Sequence, residues 1–132
     1  MKKSAVFFAG ILIIALLLAG CKSGLPGSGP QAVLDKYFSS AVKRDYSAAY
    51  DCYYAAYRAR ITRQQYIEHR SEDPSVLRAF KILSLRQAGD TAHAEVALTF
   101  ASARDVSGLK PVSINVKEDM IKEGGEWRIK VW

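Results

Sequence analysis

At Asp73-Pro74 the spacing of apolar residues changes from three and four to two. That switch constrains the fold more than any other feature, because a 3.6-residue period buries one stripe of a helix and a two-residue period buries one face of a strand. Before it, Val33, Leu34, Tyr37, Phe38 and Ala41 recur at helical spacing, with Asp35, Lys36, Lys43 and Arg44 mostly elsewhere. Pro30 suits a first helical turn, so the pattern predicts a helix over residues 31 to about 45. Ser47 is placed to cap a second helix reaching about residue 61, and Thr62 to cap a third over residues 63 to about 69. Pro74 ends the helical half.

Beyond Pro74, residues 76–87 read as a strand and Ala88-Gly89-Asp90 as a turn. Residues 91–103 alternate, with Ala94, Val96, Leu98 and Phe100 on one face and His93, Glu95, Ala97 and Thr99 on the other. After a turn containing Gly108, Val112, Ile114 and Val116 alternate with Ser113, Asn115 and Lys117. Gly124-Gly125 is a hairpin dipeptide, and Trp127, Ile129 and Val131 then alternate with Arg128 and Lys130. The expected fold class is α+β, three N-terminal helices packed on one face of a four-stranded antiparallel sheet.

The amino terminus has its own pattern. Met1-Lys2-Lys3 is cationic and residues 4–20 carry no charge, the layout of a secretory signal peptide. Seventeen uncharged residues also reach the lower limit for a spanning helix. Leu18-Ala19-Gly20-Cys21 favours the signal peptide, because it resembles the bacterial lipobox, in which a small residue precedes a cysteine that is acylated and becomes the new amino terminus. The resemblance implies a cleaved leader over residues 1–20, a lipidated Cys21 with a flexible tether through residue 30, and a folded domain over residues 31–132. Two or three acyl chains would hold the protein to a membrane of the bacterial cell envelope after export, since one chain alone anchors weakly. Lys22 follows where an aspartate commonly retains lipoproteins in the inner membrane, which favours the outer membrane in an organism that has two.

The whole chain carries a formal +6, and without Lys2 and Lys3 a net of +4. That is too weakly basic for a dedicated nucleic-acid binder. All of it falls between Arg58 and Arg86, where Arg58, Arg60, Arg63, Arg70, Arg78, Lys81 and Arg86 face only Glu68, Glu72 and Asp73. Six arginines suit forked contacts with carboxylates or phosphates. Tyr46, Tyr50, Tyr53, Tyr54 and Tyr57 crowd the second helix, too many for one core stripe. Tyr50, Tyr54 and Tyr57 share a face toward the sheet, which leaves Tyr46 and Tyr53 nearer the flank. The candidate binding surface is therefore Tyr46, Tyr53, Arg58, Arg60 and Arg63, facing an envelope protein or anionic lipid headgroups.

"RDYSAAY" leading a helix, "YRARITRQQY" with a polar cap, "AGDTAHAEV" turning into a strand and the terminal "GGEWRIKVW" together resemble the nuclear-transport-factor-two-like superfamily, in particular its small bacterial lipoproteins of unknown function. The likeness covers nearly all of residues 30–132. It implies a curved sheet wrapped around the first helix as a cone, which holds the active site in the family's ketosteroid isomerases and scytalone dehydratases. Candidate lining residues are Tyr37, Tyr54, Tyr57, Phe100 and Trp127. The isomerase pattern needs a general-base aspartate and a tyrosine–acid pair as oxyanion donors. Tyr37 or Tyr54 matches the tyrosine, but no apolar strand face supplies an inward acid. His93 and Glu95 share a polar face, and Glu68 and His69 end a polar helix; both pairs read as solvated.

With two histidines and no ligand spacing, no metal or cofactor is expected. No phosphate loop or nucleophile elbow is present. Cys52 reads as a small core residue of the second helix. The expectation is a non-enzymatic binding or adaptor module for a protein partner or small apolar ligand. The alternative is a tethered cone enzyme of isomerase or dehydratase type.

Overall fold

A computed structural model describes residues 28–102 and 111–132. The expected leader, Cys21, most of the expected tether and the expected turn containing Gly108 lie outside the described residues. Among the described residues no helix is long and apolar enough to cross a membrane. Four helices, α1 (Pro30–Val42), α2 (Tyr46–Tyr50), α3 (Ala55–Arg60) and α4 (Arg63–Glu72), precede four strands, β1 (Ser75–Ala88), β2 (Thr91–Ser102), β3 (Val112–Glu123) and β4 (Glu126–Lys130). The strands form one antiparallel meander in the order β1-β2-β3-β4. The helices pack on one of its faces, the α+β arrangement expected from the change of period at Pro74.

α1 starts at Pro30, whose missing N–H is harmless there. It ends in a Schellman motif: the Asp45 N–H donates to the Ser40 carbonyl, the Arg44 N–H to that of Ala41, and Arg44 takes a positive φ of 60°. Leu34, Tyr37, Phe38 and Ala41 form its buried stripe against the sheet. Asp45 caps α2 by accepting from the Ala48 N–H, and Thr62 with Gln65 forms a complete capping box on α4.

The second helix expected through residue 61 is two helices instead. Between them Cys52, Tyr53 and Tyr54 run beside β4: the Ile129 N–H donates to the Cys52 carbonyl at 2.7 Å and the Tyr54 N–H to the Ile129 carbonyl at 2.9 Å. Adjacent tyrosines have only moderate helix propensity and favour extended backbone. Here the segment pairs both backbone groups of Ile129 on the outer edge of β4. The break turns Tyr53 inward, so it is a core residue and not the exposed flank residue expected. Cys52 is buried as expected, but in this link, with its Sγ near the Ala48 carbonyl.

Two register shifts in β1, at Leu77/Ala79 and Ile82/Ser84, keep Leu77, Phe80, Ile82 and Leu85 on one face despite their uneven spacing. Leu83 is the extra residue of the second shift and stands half-exposed. Gly124 and Gly125, both at positive φ, form the β3–β4 turn. Among the described residues the buried core runs from Leu34 to Ile129, all of it within residues 22–132.

Candidate functional site: a cavity under the sheet with an inward glutamate

The inner face of the sheet follows from the β2–β3 register. Ala92, Ala94, Val96, Leu98 and Phe100 stand opposite Met120, Glu118, Val116, Ile114 and Val112. Alternation thus carries an acid, Glu118, onto the concave apolar face. Toward Ala92 and Met120 this face is filled by the helices; both residues are buried. Toward Phe100 and Val112 it opens into a cavity of about 720 Å³. Phe38, Leu77, Leu98, Phe100, Ile114 and Val116 supply apolar wall, and Tyr37, Arg70, Asp73, Ser75 and Glu118 the polar groups. Val112 is 61% exposed and Ile114 44%, although both belong to the inner face, because nothing among the described residues covers them.

Burial among apolar neighbours, with Asp119 beside it, pushes the Glu118 carboxyl from 4.5 up to about 7. Among the described residues its carboxyl has no hydrogen-bond or ion-pair partner. At about 7 it lies between neutral and ionised near physiological pH, on the wall of the cavity. On the α1 wall the Tyr37 and Tyr53 hydroxyls share a hydrogen bond of 2.6 Å. Burial raises both phenols, so they remain protonated donors. Arg70 lies 3.7 Å from Asp73 and stacks over Tyr46, while its Nε is buried with no acceptor.

Of the expected lining residues, Tyr37 and Phe100 border this cavity. Tyr54 donates to the Val131 carbonyl at 2.6 Å, Tyr57 packs on the Tyr53 ring, and Trp127 is a core residue that borders a different cleft. The expected surface set also divides. Arg63 reaches Asp51 at 2.5 Å, donates to Ser47 and lies over the Tyr50 ring, which ties α4 to α2. Tyr46 is half-buried beneath Arg70, Arg60 is exposed, and Arg58 is half-buried in the second cleft.

The polar sheet face is solvated as expected, but its pairing differs. His93 meets Asp119 at 2.6 Å, across the β2–β3 ladder, and Asp119 also accepts from the Trp132 indole. Glu95 accepts instead from Asn115. Glu68 and His69 are exposed. Among the described residues no group of His, Cys, Asp and Glu is placed to hold a metal ion.

Glu118 was the residue missed. Its signal lay in the sequence: two further steps beyond Val116 at the same period reach Glu118 and Met120. The apolar alternation itself is legible only as far as Val116 and Lys117, because an acid takes the next inward position.

The chain matches no protein-family model and no curated protein. Solved structures do resemble it. A SEC-C motif containing protein from Rhodopseudomonas palustris aligns at TM-score 0.63 and 14% identity over 80% of this chain and 77% of its own. A protein of unknown function with a cystatin-like fold from Nostoc punctiforme aligns at 0.53 and 16%, over 75% and 81% of the two chains. An NTF2-like protein of unknown function from Pseudomonas putida gives 0.52 and 16%, over 75% and 78%. At such identities the likeness establishes the fold alone, an NTF2-like, cystatin-like α+β domain.

Proposed function

We propose that the chain is a binding module tethered to a bacterial envelope membrane through Cys21, and that its cavity takes a small, largely apolar molecule. The observation that carries this reading is the opening between Phe100, Val112 and Ile114 into about 720 Å³ of mainly apolar wall. Cavities of this size and lining are typical of small-molecule sites, with a few polar groups setting orientation. Glu118 supplies that orientation: protonated, it donates to a carbonyl or hydroxyl; ionised, it accepts from a donor. The test is titration of the neutral dye Nile red into residues 22–132. Saturable binding to the wild type, lost on Ile114→Trp, supports the reading; equal binding by the two proteins contradicts it.

Glu118 also favours the enzymatic alternative. A carboxyl poised near 7 suits proton transfer at physiological pH, and the Tyr37–Tyr53 pair offers a phenolic donor on the same cavity wall. In that reading Glu118 takes a proton next to a substrate carbonyl whose oxygen is held by Tyr37. Deuterium uptake from solvent into a bound cyclic ketone, lost on Glu118→Gln while dye binding persists, distinguishes the enzyme from the binding module.

A further inference from the structure

A second cleft, of about 540 Å³, lies between the start of α1, the α2–α3 link and the β3–β4 turn. Lys36, Arg58 and Arg128 line it together with Asp51 and Glu126. The two acids are already engaged. Asp51 accepts from Arg63 at 2.5 Å, and Glu126 accepts from Arg128, whose other nitrogen donates to the Asp51 carbonyl at 2.7 Å. Those bonds fix the Arg128 guanidinium at the cleft wall. Lys36 and the Arg58 side chain have no acceptor among the described residues, and Arg58 Nε is sealed from solvent in that state. A buried guanidinium nitrogen without an acceptor carries the desolvation cost of an unmade hydrogen bond. Ala32 and Val33 of the cleft belong to the first turn of α1 and Ser28 lies just before it; that turn has no acidic residue and no side-chain cap. The positive end of the α1 dipole therefore borders the same cleft as the three cations.

We infer that this cleft is a phosphate-binding site, in which Arg58 and Lys36 hold the anion and Arg128 completes the basic wall. The site takes Ala32, Val33 and Lys36 from α1, whereas the cavity beneath the sheet takes Tyr37, Phe38 and Ala41, and the two share no lining residue. Its natural source of phosphate is an anionic lipid headgroup. Ser28 borders the cleft, and Cys21 is only seven residues away, a reach of at most about 25 Å. The anion chemistry stands without the lipid anchor; the headgroup as source rests on it.

The test uses residues 22–132, after a melting transition has shown each protein folded. Binding to phosphatidylglycerol vesicles and to phosphatidylcholine vesicles is measured by co-sedimentation, and binding of inorganic phosphate by calorimetry. Arg58→Gln and Lys36→Gln are each expected to weaken binding to the anionic vesicles about tenfold, the effect of losing one charge-assisted contact. Arg86→Gln, an equal charge change on an exposed arginine of β1 outside the cleft, is expected to leave it within about twofold. Phosphate binding that depends on Arg58 without vesicle binding upholds the site and overturns the headgroup as its source. Loss of binding as large in Arg86→Gln as in Arg58→Gln, or no binding of either probe, overturns the site itself. Acylation at Cys21 is read separately, so failure of the anchor and failure of the cleft give different results.

Discussion

Glu118 pairs across the β2–β3 ladder with Ala94, so the acid on the concave face stands opposite a side chain of a single methyl group. Ala94 and Ala92 let α1 approach the middle of the sheet, where Leu34 and Val96 are fully buried. One pair nearer the strand ends, Val116 and Val96 are followed by Ile114 and Leu98, and the face changes from packed core to cavity wall. Glu118 lies on that boundary, which accounts both for its raised protonation equilibrium and for its access to the cavity.

The carboxyl makes stability depend on pH in a defined direction. Its folded-state value is raised, so its contribution is fully present below about 4.5 and is lost as pH rises toward about 7. Each unit of that interval is worth about 1.4 kcal/mol. Denaturation midpoints of the wild type should fall between pH 5 and pH 8, and those of Glu118→Gln should fall markedly less. Parallel pH profiles would show that Glu118 is solvated.

Arg44 closes the Schellman motif at positive φ, where a side chain is strained and glycine is not. Arg44→Gly is expected to stabilise the domain by up to about 1 kcal/mol, measured by urea denaturation. Thr62→Ala removes one half of the α4 capping box and should destabilise by about 1 kcal/mol in the same assay.

The Tyr37 and Tyr53 hydroxyls lie in the core, where removing one leaves its partner short of a bond. Tyr53→Phe is expected to cost about 1–3 kcal/mol. The double variant Tyr37→Phe/Tyr53→Phe should cost less than the sum of the two single changes, which a double-mutant cycle measures. Strict additivity would mean the two hydroxyls act independently.

For the anchor, Cys21→Ala should abolish incorporation of labelled palmitate in cells that acylate the wild-type chain. Label retained by that variant contradicts the lipobox reading.

Much of the fold was legible because periodicity reports burial directly. The two faces of residues 91–102, the Gly124-Gly125 turn and the buried stripe of α1 all follow from spacing. The division of the second helix was not legible, since Ala48, Tyr50, Tyr54 and Tyr57 keep helical spacing and the competing partner, Ile129, is more than seventy residues away. Long-range backbone pairing leaves no local mark. The same holds for the arginines: composition showed the cluster, but only the fold separates Arg63, bonded to Asp51, from Arg58, which lacks an acceptor. Glu118 was hidden differently. An acid at an inward position breaks the apolar alternation that identifies a strand face, so a functional residue in a cone erases part of its own signal.

The central claim, that the cavity beside Glu118 holds an apolar molecule, is tested most directly by native mass spectrometry of residues 22–132 purified from cells without detergent. The account predicts one small molecule bound per chain in the wild type, extractable into organic solvent, and none in Ile114→Trp. A wild-type chain found only at its own mass, failing also to take up Nile red, would contradict it.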